Sequence, residues 1–166
     1  MMILGIDPGG GGALCFADFE KGLLDIVNMP IVALLRNGKI KREISAAMLA
    51  AVIRARRPDV AWLEKVGAMP GQGSSSMFQF GRGLGAIEGV LAALEITTHY
   101  VTPQKWQKAV GQRVGKDGSR ERASQLFPAY AGQFLRVKDD GRSDAALIAY
   151  FGFINGSAIG EAHAEV

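Results

Sequence analysis

The chain has 166 residues, of which 48% are hydrophobic and 21% are charged, and its formal net charge is +3. This composition argues for a folded globular domain and against disorder. No apolar run is as long as a transmembrane helix and no basic region precedes the first apolar run, so we expect a cytoplasmic protein, in the host cytoplasm if a phage encodes it. The single cysteine, Cys15, allows no disulfide within these residues and no cysteine metal cluster.

The first predicted element is a short buried strand, 2–6, which is followed by Asp7, a proline and four glycines. Pro8 biases Asp7 towards an extended conformation, and the glycines let the chain turn tightly and let a charged group approach the backbone. An acid at the tip of a core strand beside bare backbone is suited to a metal or a phosphate. The simpler interpretation is that Asp7 caps a turn, and this stretch alone leaves both interpretations open.

The remaining elements are predicted from period-two alternation, helical spacing and proline or glycine boundaries. In chain order they are strands 13–19 and 23–27, an irregular basic segment 30–42, a helix 43–57, a strand 60–66, a glycine- and serine-rich loop 67–76, a helix 77–94, a strand 96–101, helices 102–110 and 119–126, and a last helix 140–154. This order predicts an α/β protein with a mixed five-stranded sheet, three antiparallel strands followed by parallel ones, and helices on both faces. We predict a single domain, 1–156, and a C-terminal tail, 157–166.

Positive charge is concentrated in two segments. Residues 36–57 contain seven Lys and Arg against one acid, and residues 101–142 contain nine against four. Such segments favour a polyanionic partner, although solvated helical faces would also account for them.

Four carboxylates are predicted to lie close together. Asp7 and Glu64 would sit near the same end of neighbouring parallel strands, and Asp140 and Asp144 would share one face of the last helix. The helix dipole alone explains Asp140, whereas Asp144 lies in an apolar stripe without an obvious partner. Converging acids without a Cys or His cluster favour Mg²⁺, with Mn²⁺ as a substitute. Two such ions, roughly 4 Å apart, would support phosphodiester hydrolysis by in-line attack of water.

Three parts of the sequence together resemble the RuvC-type Holliday junction resolvases, and the phage branch in particular. They are Gly-Ile-Asp-Pro-Gly at 5–9, the acid on strand 60–66, and Asp-Gly-Arg-Ser-Asp-Ala-Ala-Leu-Ile-Ala at 140–149. The similarity also extends over 101–106 and 116–128. The resemblance implies an RNase H-like fold, a homodimer, divalent metal and cleavage of branched DNA to ligatable ends, with no small-molecule cofactor and no membrane. The family's four acids correspond to Asp7, Glu64, Asp140 and Asp144.

The sequence departs from the best-known bacterial pattern in two places. Those enzymes have two C-terminal acids three residues apart, but position 141 is glycine here, so that either Asp139 or Asp140 is the fourth ligand. They also carry an aromatic residue shortly after the strand acid that inserts at the junction, whereas the nearest downstream aromatic here is Phe78. The second departure favours a broader range of branched substrates, flaps included.

Basic residues of the second segment are the predicted DNA contacts. Lys116, which we also count as catalytic, and Arg120 are expected at the scissile phosphate, and Lys105 and Lys108 at backbone phosphates further away. The complete predicted set is Lys105, Lys108, Arg113, Lys116, Arg120 and Arg142. Trp106 is expected to be a packing residue, and the helix 77–94 is the expected dimer surface.

Three alternative functions were weighed against the resolvase. An actin-like kinase needs two domains around its nucleotide, for which the chain is too short. A nuclease of the same fold acting on RNA or on an RNA–DNA hybrid remains open. A non-cleaving protein that binds branched DNA is less consistent with four acids, because carboxylates facing a polyanion weaken binding unless metal neutralises them.

Overall fold

The structure is a computed structural model that describes residues 1–36, 38–67, 71, 73–113, 115 and 117–161, without the side chains of 36 and 157–161. The strands in chain order are β1 (Ile3–Ile6), β2 (Ala13–Asp18), β3 (Leu23–Asn28), β4 (Ile31–Arg36), β5 (Lys39–Ile44), β6 (Val60–Glu64) and β7 (Thr97–Val101). The helices are α1 (Ala46–Arg56), α2 (Ser74–Ala93), α3 (Pro103–Ala109), α4 (Gly118–Leu126) and α5 (Asp140–Glu161). Two 3-10 turns, Pro128–Gln133 and Val137–Asp139, precede α5.

Five of the strands form one mixed sheet in the order β3-β2-β1-β6-β7. The strands β1, β2 and β3 are antiparallel, while β6 is parallel to β1 and β7 is parallel to β6. The predicted mixed five-stranded sheet is therefore confirmed. In the parallel register Ile6 faces Leu63, so the next residue on each strand, Asp7 and Glu64, reaches the same edge of the sheet.

Each face of the sheet has its own hydrophobic layer because side chains alternate along the strands. On one face Ile3, Cys15 and Trp62 pack with the apolar run Ala145–Ala149 of α5. On the other face Leu4, Ile6 and Leu63 pack with buried residues of α1 and α2. Burying each large side chain contributes about 1.5–3 kcal/mol, so the two layers supply most of the favourable free energy of folding.

Helix α5 packs directly on the backbone of β1. A β-carbon at Gly5 would overlap the main chain of α5 at Ala145 and Ala149, so only glycine permits this approach. Because α5 begins at Asp140, the same packing holds the first turn of the helix at the edge of the sheet where β1 ends.

Several predicted boundaries are wrong. The segment 30–42, predicted to be irregular, contains strands β4 and β5, which pair with each other in a separate two-stranded sheet with Gly38 at φ +71° in the turn. The missed strands read Ile-Val-Ala-Leu-Leu-Arg and Lys-Ile-Lys-Arg-Glu-Ile, and the first of them lacks the alternation that marks a half-buried strand.

The predicted helices have shifted ends. Helix α1 begins at Ala46, because the hydroxyl of Ser45 accepts a hydrogen bond from the amide of Met48 at 3.3 Å and caps it. The serines predicted in a loop form the first turn of α2, and residues 68–70 and 72 of that loop lie outside the described residues. Helix α5 continues to Glu161 instead of ending at 154. In the described part of the chain, no helix combines the length and hydropathy needed to cross a bilayer.

Candidate active site

The site lies at the edge of the sheet where the parallel strands β1 and β6 end. Asp7 directly follows β1, and its amide is fixed by a hydrogen bond to the carbonyl of Ala13 at 3.1 Å. Its carboxylate accepts a long hydrogen bond of 3.5 Å from the amide of Gly9, within the glycine turn. Glu64 is the last residue of β6. The two strand acids therefore occupy the positions that the sequence predicted.

Helix α5 brings its first turn against the glycine turn. A β-carbon at Gly141 would lie 2.6 Å from the carbonyl oxygen of Gly11 and 2.9 Å from Oδ2 of Asp7. Position 141 is therefore the contact point between the helix and the strand acid, and any larger residue would push the two apart. This close contact gives a structural reason for glycine at position 141, where the bacterial pattern has an acid.

The carboxylates of this edge influence one another electrostatically. Burial, followed by the charges of Asp144 and Glu64, raises the pKa of Asp7 to about 7, against a smaller lowering by the amide of Gly9. Burial also raises the pKa of Asp144 to about 6; a hydrogen bond from Ser119 opposes this, and the charges of Glu64 and Asp140 add to it. Asp7, Glu64, Asp140 and Asp144 are therefore one group of interacting acids, which we call the carboxylate cluster.

Buried oxygens of the cluster lack hydrogen-bond partners. Among the described residues Oδ1 of Asp144 has none, and Oδ1 of Asp140 has only an ion pair, 2.7 Å from Nε of Arg120, whose geometry is not that of a hydrogen bond. Buried carboxylates are costly unless a cation compensates them. The unsatisfied oxygens and the raised pKa values together indicate that Asp7 and Asp144 lack a compensating positive charge among the described residues.

The donor set fits hard divalent cations, because it consists of carboxylate oxygens alone. As the side chains stand, no three His, Cys, Asp or Glu residues in the described ranges converge closely enough to hold one ion between them. Binding would require rotation of the carboxylates towards each other, and for Asp140 also release from Arg120. The four acids are thus neighbours at one edge but are not arranged as a finished coordination shell.

Asp139, the alternative fourth ligand, is already neutralised. Its Oδ1 accepts a hydrogen bond of 2.9 Å and its Oδ2 one of 3.0 Å from the guanidinium of Arg136, and Oδ2 also accepts from the amide of Arg136. The Arg136 side chain therefore lowers the pKa of Asp139, although burial acts in the opposite direction. Of the two candidates, Asp140 is the one that interacts with Asp144.

Two residues that hold the cluster were missed or misread in the sequence. Trp106 was predicted to be a packing residue, and it is indeed fully buried, but its indole Nε1 also donates a 2.9 Å hydrogen bond to Oε1 of Glu64. Burial raises the pKa of Glu64, and this hydrogen bond lowers it. Ser119, at the start of α4, supports Asp144 in the same way. Neither contact has a local sequence signal, because the partners are far apart in the chain.

The predicted DNA-contacting residues divide into exposed and internally paired ones. Lys105, Lys108 and Arg113 are exposed near α3. Arg120 is held by Asp117 and Asp140, and Arg142 donates to Oδ1 of Asn28 at 2.7 Å. Lys116 lies outside the described residues.

Comparisons with known proteins give matches in structure alone. No family model matches the chain, and no curated protein matches its sequence. The chain is similar to Thermus thermophilus RuvC in complex with a Holliday junction substrate, with a TM-score of 0.67 and 13% identity over 95% of this chain and 96% of that one. A second structure of Thermus thermophilus RuvC gives a TM-score of 0.58 and 15% identity over 94% and 97% of the two chains.

A third similar structure is the yeast mitochondrial Holliday junction resolvase, with a TM-score of 0.56 and 14% identity over 94% of this chain and 80% of that one. At such identities the similarity concerns the fold. The chain has the RNase H-like fold of the RuvC-type resolvases, as its motifs predicted.

Proposed function

We propose that this protein is a metal-dependent endonuclease that cuts branched DNA, with the four-way junction as its main substrate. The observation that carries the proposal is the carboxylate cluster at the ends of two parallel strands, in which Asp7 and Asp144 are largely buried and have no ion pair with a basic side chain among the described residues. Supporting it, the fold is shared with Thermus thermophilus RuvC, which has been solved with a Holliday junction.

In the proposed mechanism, Asp7 and Glu64 would hold divalent ions from the sheet while Asp140 and Asp144 would hold them from α5. Two bound ions, Mg²⁺ or Mn²⁺, would supply an activated water and stabilise the leaving oxygen of the phosphodiester. Trp106 orients the carboxylate of Glu64 through its 2.9 Å hydrogen bond and favours the ionised form, against the effect of burial. The glycine turn and Gly141 allow α5 to pack close to Asp7, so that the strand acid and the helix acids lie at the same edge of the sheet.

DNA would approach the protein over the exposed basic side chains around α3. Lys105, Lys108 and Arg113 have exposed side chains and face no acid in any ion pair among the described residues, so they are available for phosphates. Lys116 remains our candidate for the scissile phosphate. Arg120 neutralises Asp140 in the free protein. If a metal ion bound the carboxylate of Asp140 instead, the guanidinium of Arg120 would become available to bind a phosphate.

The active form would be a homodimer, because two cuts placed symmetrically across a four-way junction need two sites. The outward face of α2 is our candidate surface: Phe78 is 70% exposed there, and Gly81, Gly85 and Gly89 have open space where β-carbons would be. Light scattering of the purified protein should give twice the chain mass, and Gly85→Trp should return it to a monomer.

The test is a cleavage assay on a labelled immobile four-way junction, a flap and a linear duplex, with Mg²⁺ or with chelator. We expect paired nicks in the junction that require both Mg²⁺ and Asp7. An RNA–DNA hybrid of the same sequence is included, because preferential cutting of the hybrid would assign the cluster to a different substrate.

Asp7→Asn is the matched inactive variant and Asp18→Asn the control, since Asp18 is a buried acid at the opposite edge of the sheet. Binding of the junction without cutting under any metal would contradict the enzyme proposal and leave a protein that only binds branched DNA.

A further inference from the structure

The hairpin formed by β4 and β5 stands apart from the main sheet. In the described ranges its strands pair with each other alone. Its base is anchored, since Ile31 and Ile44 pack against the core and the side-chain amide of Gln79 on α2 donates to the carbonyl of Arg42 at 2.9 Å. Isolated two-stranded hairpins are marginal in water, so this anchoring is what keeps the hairpin formed.

The tip of the hairpin exposes two large aliphatic side chains. Leu35 and Ile40 are direct cross-strand partners, so both lie on the same face of the hairpin, and each is 74% exposed. A pair of exposed aliphatic residues at a projecting tip is unfavourable in water unless something covers it. We therefore expect an apolar or aromatic partner to contact the tip.

Strand β5 of the hairpin is basic. Lys39, Lys41 and Arg42 are exposed, and none of them forms an ion pair in the part of the chain that the structure describes. Lysines on open strand edges also discourage aggregation, which is the simplest alternative reason for them. A partner for the whole hairpin must combine negative charge with stackable or apolar surface.

A groove of about 570 Å³ lies between the hairpin and the glycine turn that follows Asp7. Pro8 and Gly10, one and three residues after Asp7, form one wall. The opposite walls are Lys41, Arg42 and Glu43 of β5 and the first turns of α2, where Arg82 pairs with Glu43. The groove therefore starts beside the strand that carries Asp7 and reaches the basic strand β5, whose far end carries the apolar tip.

We propose that this groove holds the DNA strand that continues from the scissile phosphate, with Lys41 and Arg42 on its backbone and Leu35 and Ile40 against unstacked bases at the branch. The inference rests on the proposed function and adds a specific contact surface to it. A nucleic-acid strand supplies both phosphates for the basic residues of β5 and flat rings for the tip, and DNA is the strand that the proposed function brings to this site.

Three other basic residues of the first basic segment, Arg54, Arg56 and Arg57, lie away from this surface. Arg56 forms an ion pair with Asp25, and Arg54 and Arg57 lie at the end of α1 that precedes β6, at the edge of the sheet opposite to the cluster. Arg54 and Arg57 are exposed and therefore offer a control with the same change of charge.

The experiment measures junction binding by fluorescence anisotropy over a range of salt, with every variant made in an Asp7→Asn background. We expect Lys41→Gln/Arg42→Gln to weaken binding about tenfold and to reduce the salt slope by about two units, since each lost phosphate contact removes about 0.9. Arg54→Gln/Arg57→Gln should leave both quantities near those of the background protein. Equal melting temperatures of the two double variants would establish that both are folded.

The tip is tested with 2-aminopurine, which fluoresces when unstacked, placed at the branch point. Leu35→Ser/Ile40→Ser should abolish the fluorescence increase on binding and lower the preference for junction over duplex about threefold to tenfold. Leu23→Ser, an exposed leucine at the opposite edge, should preserve both. If the lysines merely protect a strand edge, the basic variant will aggregate more readily and bind normally, which would overturn the inference.

Different results would contradict the hairpin contact and the proposed function. If the protein with Asp7 intact cuts branched DNA and the groove and tip variants behave like their controls, the hairpin contact is wrong and the proposed function stands. If that protein neither cuts nor prefers branched DNA, the proposed function fails and the hairpin contact fails with it.

Discussion

Acids at the two edges of the sheet have pKa values shifted in opposite directions. At one edge Asp18, only 4% exposed, pairs with Lys21 at 3.2 Å and with the N-terminal ammonium at 3.9 Å. Burial raises the pKa of Asp18, but the hydrogen bonds and charge of Lys21, with the ammonium, outweigh it and the net pKa is lowered. At the other edge Asp7 has no cationic partner among the described residues, and its pKa rises to about 7.

The same contrast occurs within five residues of one segment. Asp139 is held by Arg136, whereas Asp144 has a buried oxygen with no hydrogen-bond partner among the described residues. Burial is common to these acids, so burial alone does not distinguish a functional carboxylate. Asp7 and Asp144 combine burial with the absence of a basic partner in the described ranges, and a fold gains no stability from an unpaired buried charge, so we propose a functional role for these two.

The largest expected effect comes from removing an uncompensated acid. Asp7→Asn or Asp144→Asn should lower the rate of junction cleavage by a factor on the order of 10³ or more, since each carboxylate is proposed to hold the reactive ions. Asp18→Asn should leave the rate unchanged while lowering stability. Comparable loss of cleavage in Asp18→Asn and Asp7→Asn, measured in single-turnover assays, would contradict the distinction between the two edges.

The neighbouring acids Asp139 and Asp140 sharpen the comparison. Asp140→Asn should lower cleavage on the order of 10²-fold and shift the Mg²⁺ dependence to higher concentrations. Asp139→Asn should reduce the melting temperature, because it weakens the contacts with Arg136, and should leave the Mg²⁺ dependence in place. The reverse pattern would make Asp139 the fourth ligand.

Without metal, the cluster should make stability fall as pH rises. The pKa of Asp7 is about 7 in the folded protein against an ordinary value of 3.8, so the folded state binds the proton more tightly. Its stabilising contribution is full below about pH 4 and is lost as pH rises through 7. Between pH 5 and pH 8 in chelator, the native protein should lose about 2–3 kcal/mol relative to Asp7→Asn.

Mg²⁺ should cancel this loss at pH 8, because a bound cation favours the ionised carboxylates. Thermal melts of both proteins with and without Mg²⁺ measure the effect. A stability of the native protein that follows that of Asp7→Asn throughout this pH range would show that Asp7 is compensated after all.

The smallest effect concerns the orientation of Glu64. Trp106→Phe keeps an aromatic ring in the core but removes the donor to Glu64, at a cost of about 1–3 kcal/mol in stability. We expect cleavage at low Mg²⁺ to fall about tenfold and to recover substantially at high Mg²⁺. A fall that high Mg²⁺ does not relieve would indicate damage to the fold rather than to the orientation of Glu64.

Much of the site was predictable because its signals are local. Asp7 ends a strand before Pro-Gly, and Asp140 and Asp144 are one helical turn apart, so short sequence patterns predicted the positions of these three acids. The hydrogen bond from Trp106 to Glu64 joins residues 42 apart, and no local pattern encodes it. The separate hairpin was missed because β4 lacks alternation, since its base packs on the core while its tip is exposed.

The most direct test is the number of metal ions that the carboxylate cluster binds. Titration with Mn²⁺, followed by electron paramagnetic resonance, should give up to two bound ions per chain in the native protein, fewer in Asp144→Asn, and the native number in Asp139→Asn. Native binding in both variants, or no binding in the native protein, would contradict the claim that these unpaired acids form a metal site.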